Sequence, residues 1–419
     1  MFYYRIIAIL LIMIDCGRRE QSIFENKFAT FHNPKQLMIF SFDGFGYSYL
    51  NPSLTPNLFR LANEQGVTGH MLPTFSTKTL PNHHSISTGL FQETHGIVHN
   101  QMFDPLFDES FDDEDQRSQK WWDNHLSTPI YIANQLRNPS KRSSCCAPWI
   151  GCHASYKNYR TKYFRRFNKS SNPYELLEWS LEKMMAPNLP ANLAMIYLPQ
   201  PDMTAHLHGP FGSMTIEEVK KIDQFVGYLL DRLEQLKIFP NVILMADHGL
   251  SAIHPERSIV LETFLNSSWY YAYGSNPIYT IRIVPGYEKI VYESLHKHFD
   301  RLPFKVYRKN SIPERFQYRD HRRIHHLMVL AEEGWSIFNT KQDLLKNKNH
   351  RGQHGYDNLA KSMRPLFLAF GPSFRKGYLH PKQFINVDLY PLMLILLDIN
   401  PRQHYHQGDV TNVIEMLRT

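Results

Sequence analysis

A chain of 419 residues, 42% hydrophobic and 20% charged, can bury a sizeable core, which excludes a disordered or low-complexity protein. Its formal charge of +7 is scattered except for a basic stretch at 160–169, and an acidic stretch at 108–115 offsets that patch. Both read as solvated surface, and sequence-specific nucleic-acid binding is not expected.

In chain order, Arg5 precedes an apolar run at 6–14 and the polar segment "DCGRREQ", the n- and h-regions of a secretory signal, expected over residues 1–17. The run is too short to span a hydrocarbon core of about 30 Å. A secreted or cell-surface protein is therefore expected, with membrane contact only if the leader is retained. Sequons at Asn168 and Asn266 fit that compartment as glycosylation sites. After the leader only Cys145, Cys146 and Cys152 remain, enough for at most one internal disulfide, so the fold must rest on its core.

The runs "LMIFSFDGFG" (37–46), "LAMIYLPQPDMTAH" (193–206) and "VILMADHGL" (242–250) are β-rich and each ends in acid, histidine or glycine. Helical periodicity separates them, most clearly at 216–236. Strands alternating with helices predict an α/β fold, a mostly parallel central sheet with helices on both faces. Ligands in such sheets lie beyond the carboxyl ends of the strands, where these clusters fall. The late apolar run at 389–399 reads as a buried helix.

Asp43, Asp202, His206, Asp247, His248 and His354 supply the oxygen and imidazole donors that suit zinc. Singly, each has an ordinary reading: an aspartate at a strand end is often a helix cap, and "DHG" is often a plain turn. Jointly they predict two metal ions, with Gly249 allowing Asp247 and His248 to converge. Two metals about 3.5–4 Å apart suit in-line displacement at phosphorus. In "STKTLPNHHSISTG" (76–89), Pro81 places Thr79 near a helix N-terminus, where amide dipoles favour its alkoxide, so Thr79 is the candidate nucleophile.

With these motifs in order, "KTLPNHHSISTGLFQETHGIVHN", "PQPDMTAHLHGP", "VILMADHGL" and "QHGYDN", the chain resembles the ectonucleotide pyrophosphatase/phosphodiesterase family of the alkaline phosphatase superfamily. The resemblance runs from about residue 36 to about 401. It implies an alkaline-phosphatase-like fold and two Zn2+ ions, one held by Asp43, Thr79, Asp247 and His248, the other by Asp202, His206 and His354. It also implies Asn100 as the phosphate-binding amide and a small-molecule phosphodiester as substrate. Lys78 is a candidate for tuning the field at the phosphate; its ordinary reading is a solvated lysine. The sequence departs from the family at Leu80, where an aromatic wall for the nucleobase is usual, at Gln200, and at Cys145 and Cys146. Phe164 is the candidate for the other wall.

One catalytic domain is expected over 36–401, with 258–347 an elaboration returning His354 to the site and 402–419 a C-terminal extension. The expected reaction is hydrolysis of a nucleotide phosphodiester or pyrophosphate through a phosphothreonine. The alternative is a choline-phospholipid phosphodiesterase on the same metals; an inactive secreted binding protein is disfavoured because no ligand or nucleophile is missing. A sulfatase is set aside, since Cys146-Ala-Pro-Trp149 lacks the required arginine.

Overall fold

Six apolar residues, Leu37 to Phe42, open the described chain as a fully buried strand, as expected of a strand covered on both faces. The computed structural model describes residues 36–111, 118–299 and 301–418. The expected leader at 1–17 and residues 112–115 of the acidic stretch lie outside the described residues. The elements that build the site are β1 (Leu37–Phe42), α1 (Pro56–Glu64), β2 (Gly66–Thr68), α2 (Thr79–Thr88), α3 (Ile130–Arg137), β3 (Ser143–Cys146), β4 (Tyr163–Phe164) and α4 (Pro173–Met184). They continue with β5 (Ala191–Leu198), α5 (Asp202–His208), α6 (Ser213–Leu236) and β6 (Asn241–Met245). After them come β7 (Tyr270–Ser275), β8 (Ile278–Ile283), β9 (Phe304–Arg308), β10 (Leu327–Ala331), β11 (Phe367–Phe370), β12 (Tyr378–Leu379) and α7 (Leu389–Leu396).

The main sheet has eight strands in the order β12-β2-β11-β6-β1-β5-β3-β4. β1 runs parallel to both β5 and β6, with Leu37 opposite Leu193 and Asn241; β11 runs antiparallel to its neighbours β6 and β2. Side-chain alternation gives each face its own core. Leu37, Ile39, Met195 and Ile243 pack with α2, α3 and α7. Met38, Phe40, Ile196 and Leu244 pack on the other side with α1, α4 and α6. In α6 the buried Val219, Ile222, Val226, Leu229 and Leu233 recur at three or four residues, one apolar stripe, and burying each such side chain contributes roughly 1.5–3 kcal/mol. α7 is buried throughout. Among the described residues no helix is long and apolar enough to cross a membrane.

In the stretch expected as a C-terminal extension, Val413, Met416 and Leu417 are buried in the core against α7, and Leu417 bridges Phe374. The three cysteines described are free and buried. Cys145 lies on the α4 face and Cys146 with Cys152 on the α2 face, because neighbours along a strand point to opposite sides.

Within 258–347 lies a separate antiparallel sheet, β7-β8-β10-β9, with its own apolar core. Downstream of it, Gly352–Gln353 pairs antiparallel with Ser251–Ala252 just after β6. That pairing returns the chain to the carboxyl edge of the main sheet and stacks His354 on His248, ring centroids 3.6 Å apart.

Candidate active site

The site is assembled where β1, β5 and β6 end. Asp43 follows β1, Asp202 opens α5 just after β5, and Asp247 and His248 follow β6. Gly44, at φ +69°, lets the chain leaving β1 pass so close to Asp202 that a Cβ would lie 2.9 Å from the Asp202 Cβ. Gly249 serves a different purpose from the turn expected of it: a Cβ there would meet the Ser362 carbonyl at 2.2 Å, so close backbone approach is what demands glycine.

Asp43, Asp202 and Asp247 are all buried. Asp43 Oδ1, Asp202 Oδ1 and Asp247 Oδ2 have no hydrogen-bond partner, and burying such groups unpaired is expensive. Burial first, then Asp247 and Asp202, pushes the Asp43 carboxyl well above its ordinary value. Burial followed by Asp202 pushes Asp247 up to about 8. Burial also acts to raise Asp202, but His206 together with His248 and Lys78 outweighs it and holds that carboxyl below its usual value. Three carboxylates crowded like this call for cations.

The histidines are oriented to meet them. His206 Nδ1 donates to the Gly352 carbonyl at 3.0 Å, His248 Nδ1 to the Gly249 carbonyl at 3.1 Å and His354 Nδ1 to the Thr77 carbonyl at 2.7 Å. A carbonyl can only accept, so each ring carries a proton on Nδ1 and turns Nε2 toward the carboxylates, the way metal-binding histidines are commonly oriented through their other nitrogen; burial acts to lower His206, but the facing Asp202 raises it above its ordinary value. Burial pushes His248 down to about 3 and His354 well below its ordinary value, keeping both neutral. Nε2 of His248 lies 3.1 Å from Asp247 and 3.6 Å from Asp43; Nε2 of His206 and of His354 lie 3.4 and 3.6 Å from Asp202. Two groups, Asp43–Asp247–His248 and Asp202–His248–His354, have donor atoms within 4.8 Å of one another. Unpartnered carboxylate oxygens, neutral imidazoles and this spacing fit a pair of metal ions.

Thr79 is the first residue of α2, and its Oγ1 lies 3.3 Å from His248 Nε2. Asn100 is half-buried, and its Oδ1 accepts from the Leu80 N–H at 3.0 Å, leaving the Nδ2 donor for another partner. Lys78 is not the solvated lysine of its ordinary reading: it is 3% exposed, donates to the Asn276 carbonyl at 2.6 Å, and burial lowers it to about 7. Leu80 is buried beside Thr79. Phe164 sits on β4, the outermost strand, and is 39% exposed. Phe167, also exposed, is the aromatic whose ring meets Tyr197, centroids 5.7 Å apart; the Tyr197 hydroxyl donates to Asp43 Oδ2. Sequence reasoning passed over both; alternation along β5 could have pointed Tyr197 to the Asp43 side. Asn168 and Asn266 are exposed, each closing a local turn through its side-chain oxygen.

Residues 37–357 match the family model described as type I phosphodiesterase / nucleotide pyrophosphatase. The chain belongs to that family. Human bis(5′-adenosyl)-triphosphatase ENPP4 is 35% identical over 372 residues, 88% of this chain and 79% of that one. Human ectonucleotide pyrophosphatase/phosphodiesterase family member 5 is 35% identical over 399 residues, 92% of this chain and 78% of the relative. Among solved structures, murine ENPP5 superposes with a TM-score of 0.83 at 32% identity, covering 91% of this chain and 100% of that chain. An inactive variant of murine ENPP5 in complex with AMP superposes at 0.84 and 32% identity, covering 92% and 100%. Like its family, this chain is a hydrolase of phosphodiester or pyrophosphate bonds, and its fold is the alkaline-phosphatase-like α/β architecture expected from the sequence.

Proposed function

We propose that the chain is an extracellular, zinc-dependent nucleotide phosphodiesterase/pyrophosphatase working through a phosphothreonine at Thr79. The observation that carries this reading is the set of unpartnered carboxylate oxygens facing the Nε2 atoms of three histidines beside the Thr79 hydroxyl. Asp43, Thr79, Asp247 and His248 would hold one zinc, and Asp202, His206 and His354 the other. Bound there, the ions would supply Lewis acidity and charge neutralisation at the reacting phosphoryl group.

The protein's own residues do the rest. Thr79 sits where the first-turn amides of α2 favour negative charge on its oxygen. That oxygen attacks phosphorus, the Oγ–P bond forms, and the bond to the leaving alcohol or nucleotide breaks. Asn100 Nδ2 donates to a non-bridging oxygen as charge develops. Water then cleaves the phosphothreonine and restores Thr79; two inversions give net retention. Lys78, held by Asn276, adds positive field behind the phosphate.

A nucleotide is the favoured substrate because one relative is named as a bis(5′-adenosyl)-triphosphatase and another has been solved with AMP. Its base would lie between Leu80 and Phe167, with Phe164 at the outer edge. The catalytic unit we propose runs from residue 36 through the packed C-terminal segment, with 258–347 as its internal elaboration. The leader at 1–17, the exposed sequons at Asn168 and Asn266, and relatives named as ecto-enzymes support an extracellular site of action. Metal analysis and a product profile on nucleotide diesters, dinucleoside polyphosphates and choline phospholipids test the reading. Two zinc ions per chain and release of a nucleoside 5′-monophosphate are expected; one zinc or none, or turnover of choline phospholipids alone, overturns it.

A further inference from the structure

His83 lies one helical turn after Thr79, on the face of α2 that meets the sheet, and it is fully buried. Its Nδ1 is 2.8 Å from the Thr79 carbonyl, which can only accept, so Nδ1 carries the proton. Nε2 is then an acceptor, and the Ser41 hydroxyl, 2.8 Å away, donates to it. Ser41 stands in β1, two residues before Asp43. The Nδ1 atom also lies 3.5 Å from Asp247 Oδ2, one of the oxygens without a hydrogen-bond partner, as a long second arm of the same donor. Tyr197 and Trp149 meet the imidazole edge to face, with centroids 5.0 and 5.2 Å from it, and fix its plane.

We propose that His83 is a positioning residue that ties the first turn of α2 to β1 and to Asp247, setting the place of Thr79 relative to the carboxylates. The inference rests on the reading of Thr79 as nucleophile and Asp247 as ligand. The physical need is specific: Asp43 and Asp247 are carried by the sheet and Thr79 by a helix laid across it. The distance between nucleophile and cradle is therefore set by whatever joins the two layers, and a small misplacement of a nucleophile is costly. One imidazole reaches both layers with a fixed tautomer.

The test uses the full chain, the p-nitrophenyl ester of thymidine monophosphate as substrate, and zinc retention against a chelator as a readout independent of turnover. His83→Phe keeps the ring and removes both nitrogens. It is expected to lower kcat by about 10–100-fold, the usual effect of losing an outer-shell partner, with KM nearly unchanged and zinc retained less tightly. His83→Asn, whose amide nitrogen falls near the place of Nδ1, restores the arm to the Thr79 carbonyl and Asp247 but not the one to Ser41, and should recover part of kcat and of zinc retention. Ser41→Ala, which cuts the other end without touching α2, should lower kcat in the same direction. Wild-type kcat and zinc retention in His83→Phe would overturn the proposal, as would His83→Asn performing no better than His83→Phe, which would make the role one of packing. Should His83→Phe fail to fold, His83→Gln, which reaches Ser41 but not the Thr79 carbonyl, takes its place under the same outcomes. Wild-type protein that holds no zinc and turns over nothing refutes the functional reading instead.

Discussion

The site has two parts built on different principles. The cradle of Asp43, Asp202, Asp247, His248 and His354 is almost solvent-free, each residue 8% exposed or less, and most of it hangs on the ends of parallel strands in the middle of the sheet. The substrate rim we propose, Asn100, Phe164 and Phe167, is half-buried or exposed and is carried by loops and the edge strand β4. A cradle placed by the rigid centre of the sheet can tolerate little change, whereas a rim on loops can be altered without moving the chemistry. The two parts should therefore respond to substitution on different scales and in different kinetic constants.

The largest effect is expected at the junction with the cradle. Thr79→Ala should lower kcat on the order of 10³-fold or more, as removal of a nucleophile does, while unfolding at nearly the wild-type temperature. Thr79→Ser should keep a measurable part. Equal activity of wild type and Thr79→Ala in steady-state assays would transfer the attack to water and dissolve the covalent step.

Next in size are the ligands. Asp247→Asn and His354→Ala should each lower kcat by at least about 10²-fold, since even outer-shell partners cost 10–100-fold. Lys78→Ala should lose less, because its ammonium is anchored to the Asn276 carbonyl and acts on the phosphate only through the field. A Lys78→Ala loss as deep as the ligand variants would put the lysine on the reacting oxygens.

The same contrast governs what could be read from sequence. Cradle residues follow hydrophobic strands immediately, so strand periodicity and the carboxyl-end rule placed Asp43, Asp202, Asp247 and His248 on one edge before any geometry was known. Tyr197 and His83 were missed because their roles depend on which face a strand residue points to and which backbone carbonyl lies opposite. The packing beyond 401 was not legible because Val413, Met416 and Leu417 lie in short irregular turns, which carry no periodic pattern although they fill the core. The rim was the least legible. Phe164 ends β4 and Phe167 lies three residues on in the same basic stretch, and only the path of the chain after β4 brings Phe167 against Tyr197.

A smaller, thermodynamic effect separates the cradle from ordinary core. Three buried carboxylates repel one another without cations, so zinc should stabilise the fold beyond what contacts alone would suggest: about 4 kcal/mol at a thousandfold excess over Kd. In chelator-treated protein at neutral pH, Asp247→Asn should unfold at a higher temperature than wild type, because burial and Asp202 push Asp247 up to about 8 and the metal-free fold must protonate a carboxyl that the unfolded chain leaves ionised, a cost asparagine does not carry, although the variant loses activity. Calorimetry with and without Zn2+ checks both signs. A chelated Asp247→Asn protein less stable than chelated wild type would mean that the cradle is held by its own hydrogen bonds rather than by metal.

The smallest effect belongs to the rim, and it should appear in KM. Stacking a nucleobase on an aromatic face contributes roughly 1–3 kcal/mol. Phe167 is 46% exposed and leans on Tyr197, so its share falls at the low end of that range, and Phe167→Ala should raise KM for a nucleotide diester by roughly tenfold with kcat little changed. Phe164→Ala, at the far edge of β4, should do less. Opposite them Leu80 offers dispersion but no π-face, so Leu80→Phe should lower KM for nucleotides while leaving the chemical step alone. The three variants assayed on one nucleotide and one choline phospholipid separate the substrate classes. If Leu80→Phe and Phe167→Ala shift KM only for the nucleotide, the rim is a base-binding slot. If both shift KM for the phospholipid and neither for the nucleotide, the aromatic side chain faces a choline cation instead, and the cradle and Thr79 stand as proposed with a different leaving group above them.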